Sequence, residues 1–258
     1  MDFNLRVDEY TDRYKSRSQL IRAVSEDWFS NEMYCPNCLS EVKQCPANSK
    51  TKDFACPNCA HTFELKSHAT NFPSTIPDGA YETLISSIQS NFAPDFFFLC
   101  YDAKNWQVSD LFLVPRFFLN SSVIEKRPPL SGTARRAGWV GCNIKLDRIP
   151  LAGKIDVLKD HTETNPKEVQ KRYKKAIFLD KKNLTQKGWF SDMLRCVQTY
   201  RNTFNLGQFY ADFEDELQEL HPDNKHLRDK IRQQLQVLRD RGFLRFSGQG
   251  IYVLERSI

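Results

Sequence analysis

Two copies of one tetrapeptide, Cys35-Pro36-Asn37-Cys38 and Cys56-Pro57-Asn58-Cys59, stand 17 residues apart and constrain this 258-residue chain more than any other feature. A Cys-x-x-Cys turn aims two thiolates at one point, and two such turns at this separation complete a tetrahedral four-sulfur zinc site. Sulfur then fills every position, leaving none for water or substrate, so Cys35, Cys38, Cys56 and Cys59 are expected to hold a structural Zn²⁺. His61 reads as a neighbour of the second knuckle rather than as a ligand. The other four cysteines, Cys45, Cys100, Cys142 and Cys196, are scattered and read as small buried apolar residues. Cysteines used in this way suit a reducing compartment and exclude a disulfide scaffold.

Hydrophobic residues make up 40% and charged residues 27%, a soluble globular balance. The longest apolar run, Phe96-Phe97-Phe98-Leu99-Cys100-Tyr101, is far too short to cross a bilayer and reads as a buried strand. Met1-Asp2-Phe3-Asn4 opens no secretory signal. A cytoplasmic protein with no membrane partner is expected.

Hydrophobic spacing predicts one or two helices over residues 5–31, with Leu20, Ile21, Val24 and Trp28 on one side. The turn-rich stretch 34–59 carries the knuckles, Phe63 to Lys66 is a short strand, and 70–77 is a loop. A helix is expected from Asp78 to Gln89, then strands at Asp95–Asp102, Leu111–Phe118 and Lys154–Val157. The glycine-rich segment from Gly132 to Gly141 reads as a loop. A helix follows from Pro166 to Ile177. The polar run from Asp180 to Gly188 reads as turns, which sets a boundary between residues 1–182 and 183–258.

Chemistry is suggested by Asp53 and the tripeptide Glu64-Leu65-Lys66. Side chains alternate along a strand, so Glu64 and Lys66 share a face while Leu65 points into the core. Two carboxylates, Asp53 and Glu64, are hard ligands suited to Mg²⁺, and the Leu65 carbonyl can complete the set. Lys66 can orient the attacking water and stabilise charge that develops on a phosphate. An acid-x-Lys tripeptide is common by chance. Here the upstream acid and the strand-forming neighbours give it weight.

Asp53, ten intervening residues and then Glu64-Leu65-Lys66 resemble the PD-(D/E)XK nuclease motif. Lys52, where that motif often has proline, is a minor departure. The chain as a whole resembles the DpnI group of restriction endonucleases. The segments that carry this likeness are Tyr34-Cys-Pro-Asn-Cys38, Glu64-Leu-Lys66 with Asp78-Gly-Ala-Tyr81, Phe96-Phe-Phe-Leu99, Thr133-Ala-Arg-Arg-Ala-Gly-Trp139 and Ile231-Arg-Gln-Gln-Leu235. The resemblance implies an α/β (α+β) PD-(D/E)XK nuclease core with an inserted four-cysteine zinc site, followed by a winged helix-turn-helix domain. It also implies Mg²⁺-dependent type II cleavage of both strands of double-stranded DNA at adenine-methylated G-A-T-C.

The residues of the C-terminal part, beside a nuclease, point to a DNA reader, the alternatives being an ordinary solvated amphipathic helix or a winged helix used for protein contacts. Helices are expected at 189–200, 206–220 and 225–241, followed by strands at 243–246 and 251–254 around Ser247-Gly-Gln-Gly250. Residues 225–245 hold seven basic side chains against two acidic ones, whereas 212–219 hold five acids and no base. Such segregation is what a phosphate footprint looks like. Ile231, Leu235 and Leu238 form the buried stripe of the third helix. Its other face offers Arg228, Arg232, Gln233, Gln236 and Arg239, side chains suited to guanine and adenine edges. Arg135, Arg136 and Trp139 in the glycine-rich loop are a second candidate contact, unless Trp139 only covers the core.

The leading reading is a methylation-dependent restriction endonuclease. Its rivals are a zinc-containing winged-helix DNA-binding regulator without nuclease activity, and a repair or junction-resolving nuclease. The residues leave open the oligomeric state, monomer included, and the number of catalytic metals.

Overall fold

A computed structural model describes residues 1–46, 49 and 52–255. Helix α1 (Arg17–Glu32) precedes the short strands β1 (Lys43–Gln44) and β2 (Phe54–Ala55). Strands β3 (Thr62–Ala69) and β4 (Thr75–Ala80), helix α2 (Tyr81–Gln89), and strands β5 (Asp95–Asp102) and β6 (Gln107–Val114) follow. Next come β7 (Ile124–Lys126), β8 (Gly141–Lys145), β9 (Ile155–Lys159), β10 (Thr162–Glu163) and helix α3 (Pro166–Ala176). The C-terminal part comprises α4 (Leu184–Val197), β11 (Thr203–Asn205), α5 (Leu206–Leu220), α6 (Leu227–Asp240), β12 (Leu244–Phe246) and β13 (Ile251–Leu254).

A seven-stranded sheet in the order β1-β2-β3-β5-β6-β9-β10 forms the centre of this mixed α/β fold. Among the described residues only β3 and β5 pair in parallel, with Glu64 opposite Phe96 and Lys66 opposite Phe98. Between its terminal aspartates strand β5 is an uninterrupted run without charge, because both of its faces are covered. On one face Phe97 meets Phe29 of α1 edge-on at 4.8 Å and Phe63 of β3 at 5.7 Å. On the other, Phe98 stacks on Phe112 of β6 at 5.0 Å, and Phe72 caps the pair. A second sheet, β4-β8-β7, carries Asp78 toward the face of β3 that presents Lys66.

The C-terminal helices pack on a third sheet, β11-β13-β12, in the order helix, strand, helix, helix, hairpin. Ile231, Leu235 and Leu238 of α6 are fully buried, as their spacing requires. Among the described residues no helix is long and apolar enough to cross a membrane.

Several local expectations change. The segment expected to be a loop and then the start of a helix at Asp78 is strand β4, and α2 begins only at Tyr81. Ladder bonds to β8 hold Thr75–Ala80 extended, and no side chain caps α2 at Ala80, so tertiary pairing overrides the local pattern. The expected strand to Phe118 ends at Val114, because Pro115 cannot donate to a ladder, and a 3₁₀ turn follows. The polar run 180–188 is not all turn. Asn183 and Gln186 form a reciprocal capping box, so α4 starts at Leu184. Cys100, Cys142 and Cys196 are buried as expected, whereas Cys45 is only partly covered. Four residues of the turn-rich stretch, 47, 48, 50 and 51, lie outside the described residues.

Candidate active site

The two knuckles fold as near-copies. In each, the first cysteine accepts an amide bond from the residue after the second: Leu39 N–H to the Cys35 carbonyl, and Ala60 N–H to that of Cys56. Leu39 and Ala60 both take positive φ, 63° and 59°, reversing the chain so that the thiols of each pair converge. The Sγ atoms of Cys35, Cys38, Cys56 and Cys59 all lie within 4.8 Å of one another, with three contacts at 3.5 Å. Zn–S bonds of about 2.3 Å in a tetrahedron put sulfurs about 3.8 Å apart, so the cluster fits a zinc ion. His61 Nδ1 sits 3.3 Å from Cys59 Sγ, beside the cluster.

The second knuckle is also the turn of the β2–β3 hairpin. Phe54 pairs with Phe63 and Ala55 with Thr62, so the clasp sets the register that brings the residue before β2 against β3. That residue is Asp53. Its Oδ2 accepts the Leu65 amide N–H at 3.0 Å, and its own amide donates to the Phe63 carbonyl at 2.9 Å. Asp53 Oδ1 lies 3.3 Å from Arg22 Nη2 of α1, and Arg22 Nε also binds Glu26 at 2.6 Å, one turn along. Asp53, Glu64, Leu65 and Lys66 share one open cleft of about 480 Å³, with Arg22 and Glu26 on its helical wall.

Within the cleft, Lys66 Nζ is 2.5 Å from Glu64 Oε1 and 2.5 Å from Asp78 Oδ1. The Lys66 ammonium is also 5.8 Å from the centre of the Phe96 ring. Burial pushes the Glu64 carboxyl up to about 7. Asp78 and Asp53 push the same way, and Lys66 opposes them. Burial works against the charge on Lys66, but Glu64 and Asp78 together raise its pKa and keep it an ammonium. Sequence reasoning brings out Asp53, Glu64, Leu65 and Lys66, and the fold gathers them. It misses Arg22, legible only as half of an i,i+4 pair with Glu26, and it reads Asp78 as the start of a helix.

The loop between β7 and β8 ends beside this site. Tyr81 N–H binds the Val140 carbonyl at 3.1 Å, tying the loop to the end of β4. Trp139 lies against the Gly141 backbone so closely that a Cβ there would stand 2.8 Å from the ring. Arg136 covers the ring at 4.6 Å, and Arg135 is exposed. Trp139 therefore packs on the strand with Arg136 over its ring, the core-covering arrangement open to it from sequence, and Arg136 adds a cation to its outer face.

The chain matches the DpnI, Dam-replacing family over residues 1–182 and the DpnI_C, Dam-replacing HTH domain over residues 185–253. The chain belongs to the Dam-replacing family. That membership ties it to methyl-directed restriction enzymes, and the HTH domain indicates DNA binding.

In the Dam-replacing HTH domain, Arg228, Arg232, Gln236 and Arg239 form one exposed row along α6. Arg228 is held by Glu214 at 2.8 Å through two nitrogens and lies over Tyr210, which fastens α6 to α5. Arg232 pairs with Asp229 and Arg239 with Asp240, acids one to three residues away on their own helix. Gln233 is exposed but stands around the helix from that row. It accepts from Lys230 and lines a groove shared with Phe178 and Phe190.

Proposed function

We propose that the chain is a Mg²⁺-dependent, methylation-dependent type II restriction endonuclease of the PD-(D/E)XK type, cutting double-stranded DNA at adenine-methylated G-A-T-C. Residues 1–182 form its catalytic unit and 183–258 its winged-helix reader, and it works in the cytoplasm. The observation that carries this reading is the convergence of Asp53 with Glu64 and Lys66 in one cleft, in a member of a methyl-directed restriction family.

Asp53, Glu64 and the Leu65 carbonyl are the hard oxygen donors available for magnesium, whereas the four sulfurs are suited to structural zinc. Bound there, magnesium supplies a Lewis acid for the phosphate and a more acidic water. The Asp53 carboxylate is pre-aimed by the Leu65 amide and by Arg22, which lowers the cost of organising the site. Lys66 sits where an ammonium can orient the water and balance charge growing on the phosphate. Arg232, Gln236 and Arg239 of α6, with Arg228 and Gln233 at its margins, meet the major groove, and Arg135, Arg136 and Trp139 meet DNA beside the cut.

The test uses methylated and unmethylated plasmid, with and without magnesium, and the wild-type and Asp53→Ala proteins. Only wild type with magnesium and methylated DNA should cut, while Asp53→Ala keeps its fold and its DNA affinity. Cleavage by Asp53→Ala would overturn the assigned chemistry. Binding without cleavage in every lane would favour the zinc-containing regulator.

A further inference from the structure

The Asp-Glu-Lys motif does not account for Asp78, the second carboxylate that the fold delivers to the Lys66 ammonium beside Glu64. Asp78 belongs to β4, a strand of the other sheet, and its side chain is 6% exposed. Its Oδ1 reaches Lys66 Nζ at the same 2.5 Å as Glu64 Oε1 does. The lysine thus bridges carboxylates from two sheets. Pairing of β4 with β8 shifts register between Asp78 and Ala80, leaving Gly79 as the bulged residue next to Asp78. A bulge re-aims the neighbouring side chains, and bulges concentrate beside active sites.

The two carboxylates around Lys66 face conflicting demands. Glu64 is a donor wanted by a divalent cation, yet it is also a counter-charge to a lysine whose side chain is only 20% exposed. Were Glu64 the sole partner, every cation bound would leave a poorly solvated ammonium without compensation. Asp78 removes that conflict.

We propose that Asp78 is a positioning residue that keeps the Lys66 ammonium paired and aimed while Glu64 turns to the divalent cation. The inference rests on the nuclease reading above. Asp78 acts through Lys66 and need not touch DNA. Without its charge, Lys66 competes with the cation for Glu64 and also loses its aim.

The experiment compares full-length wild type, Asp78→Asn and Asp78→Glu. Asn has the shape of Asp and keeps an acceptor oxygen, so the fold should survive, which a melting curve checks. Two quantities are read: the magnesium concentration that half-saturates the thermal shift in the absence of DNA, and kcat against KM on methylated duplex. In Asp78→Asn both magnesium affinity and kcat should fall, roughly 10–100-fold as for other supporting groups, with KM for DNA little changed. In Asp78→Glu, which keeps the charge, magnesium affinity should be retained and kcat should fall through lost aim. Repeating Asp78→Asn in a Lys66→Ala background separates action through the lysine from simple loss of negative charge. The first makes the effect on magnesium shrink, and the second leaves it as large as before.

Wild-type magnesium affinity and kcat in Asp78→Asn would overturn the proposal, and so would an undiminished effect without Lys66. Should Asp78→Asn melt early, loss of magnesium affinity in Asp78→Glu would overturn it instead. If Lys66→Ala alone cuts normally, the nuclease reading itself fails. If that variant is dead and Asp78→Asn is normal, only the role of Asp78 is lost.

Discussion

Glu64→Gln should make the magnesium-free protein more stable and abolish cleavage. The Glu64 carboxyl is pushed from an ordinary 4.5 to about 7, chiefly by burial, with Asp78 and Asp53 nearby and Lys66 opposing. At 1.36 kcal/mol per tenfold change in proton affinity, that rise means the ionised side chain costs the fold roughly 3 kcal/mol. The sign follows from which state holds the proton. Below pH 4.5 both folded and unfolded chains keep it, and nothing is lost. Between 4.5 and about 7 the unfolded chain releases it first, so folding weakens as pH rises. Above 7 the cost is complete and constant. Gln resembles the protonated acid and avoids the cost, while Lys66 keeps Asp78 as its partner. In magnesium-free buffer, Glu64→Gln should therefore melt like wild type near pH 4 and roughly 6–12 °C higher at pH 8. Differential scanning calorimetry across that range is the assay. Equal melting temperatures at both pH values, or a lower one for the variant at pH 8, would refute the reasoning, because the Glu64–Lys66 pair would then be stabilising on balance.

Cys56→Ser should cost bound zinc, lower the melting temperature and stop cleavage, because the knuckle is the turn that registers β2 on β3 and so places Asp53. Zinc release with a thiol reagent, alongside a melting curve, checks this, and a variant that lost zinc but melted unchanged would contradict it. Arg232→Ala should weaken binding of a methylated duplex roughly tenfold or more and flatten its salt dependence. Arg228→Ala, whose guanidinium is already committed to Glu214 and Tyr210, should do less, and fluorescence anisotropy at fixed salt distinguishes the two.

Features encoded over short stretches of chain are legible in the order of residues alone. Two Cys-Pro-Asn-Cys turns announce a four-sulfur cluster because each turn is a local conformation and the intervening chain is long enough to close it. Glu64 and Lys66 share a face because the period of a strand is two, and Ile231, Leu235 and Leu238 are buried because the period of a helix is 3.6. The start of α4 is also local, signalled by the Asn183–Gln186 capping box, but the polar composition around it masks the signal.

Tertiary structure decided the rest, and it did so through pairing between distant segments. Thr75–Ala80 becomes a strand because β8, more than sixty residues on, supplies its ladder partners, and that pairing turns Asp78 from an expected helix start into the second counter-charge of Lys66. Arg22 reaches Asp53 only because α1 packs across the sheet. A cluster fixed by adjacent residues carries its geometry in their spacing, whereas one assembled across two sheets depends on register, which no spacing along the chain records.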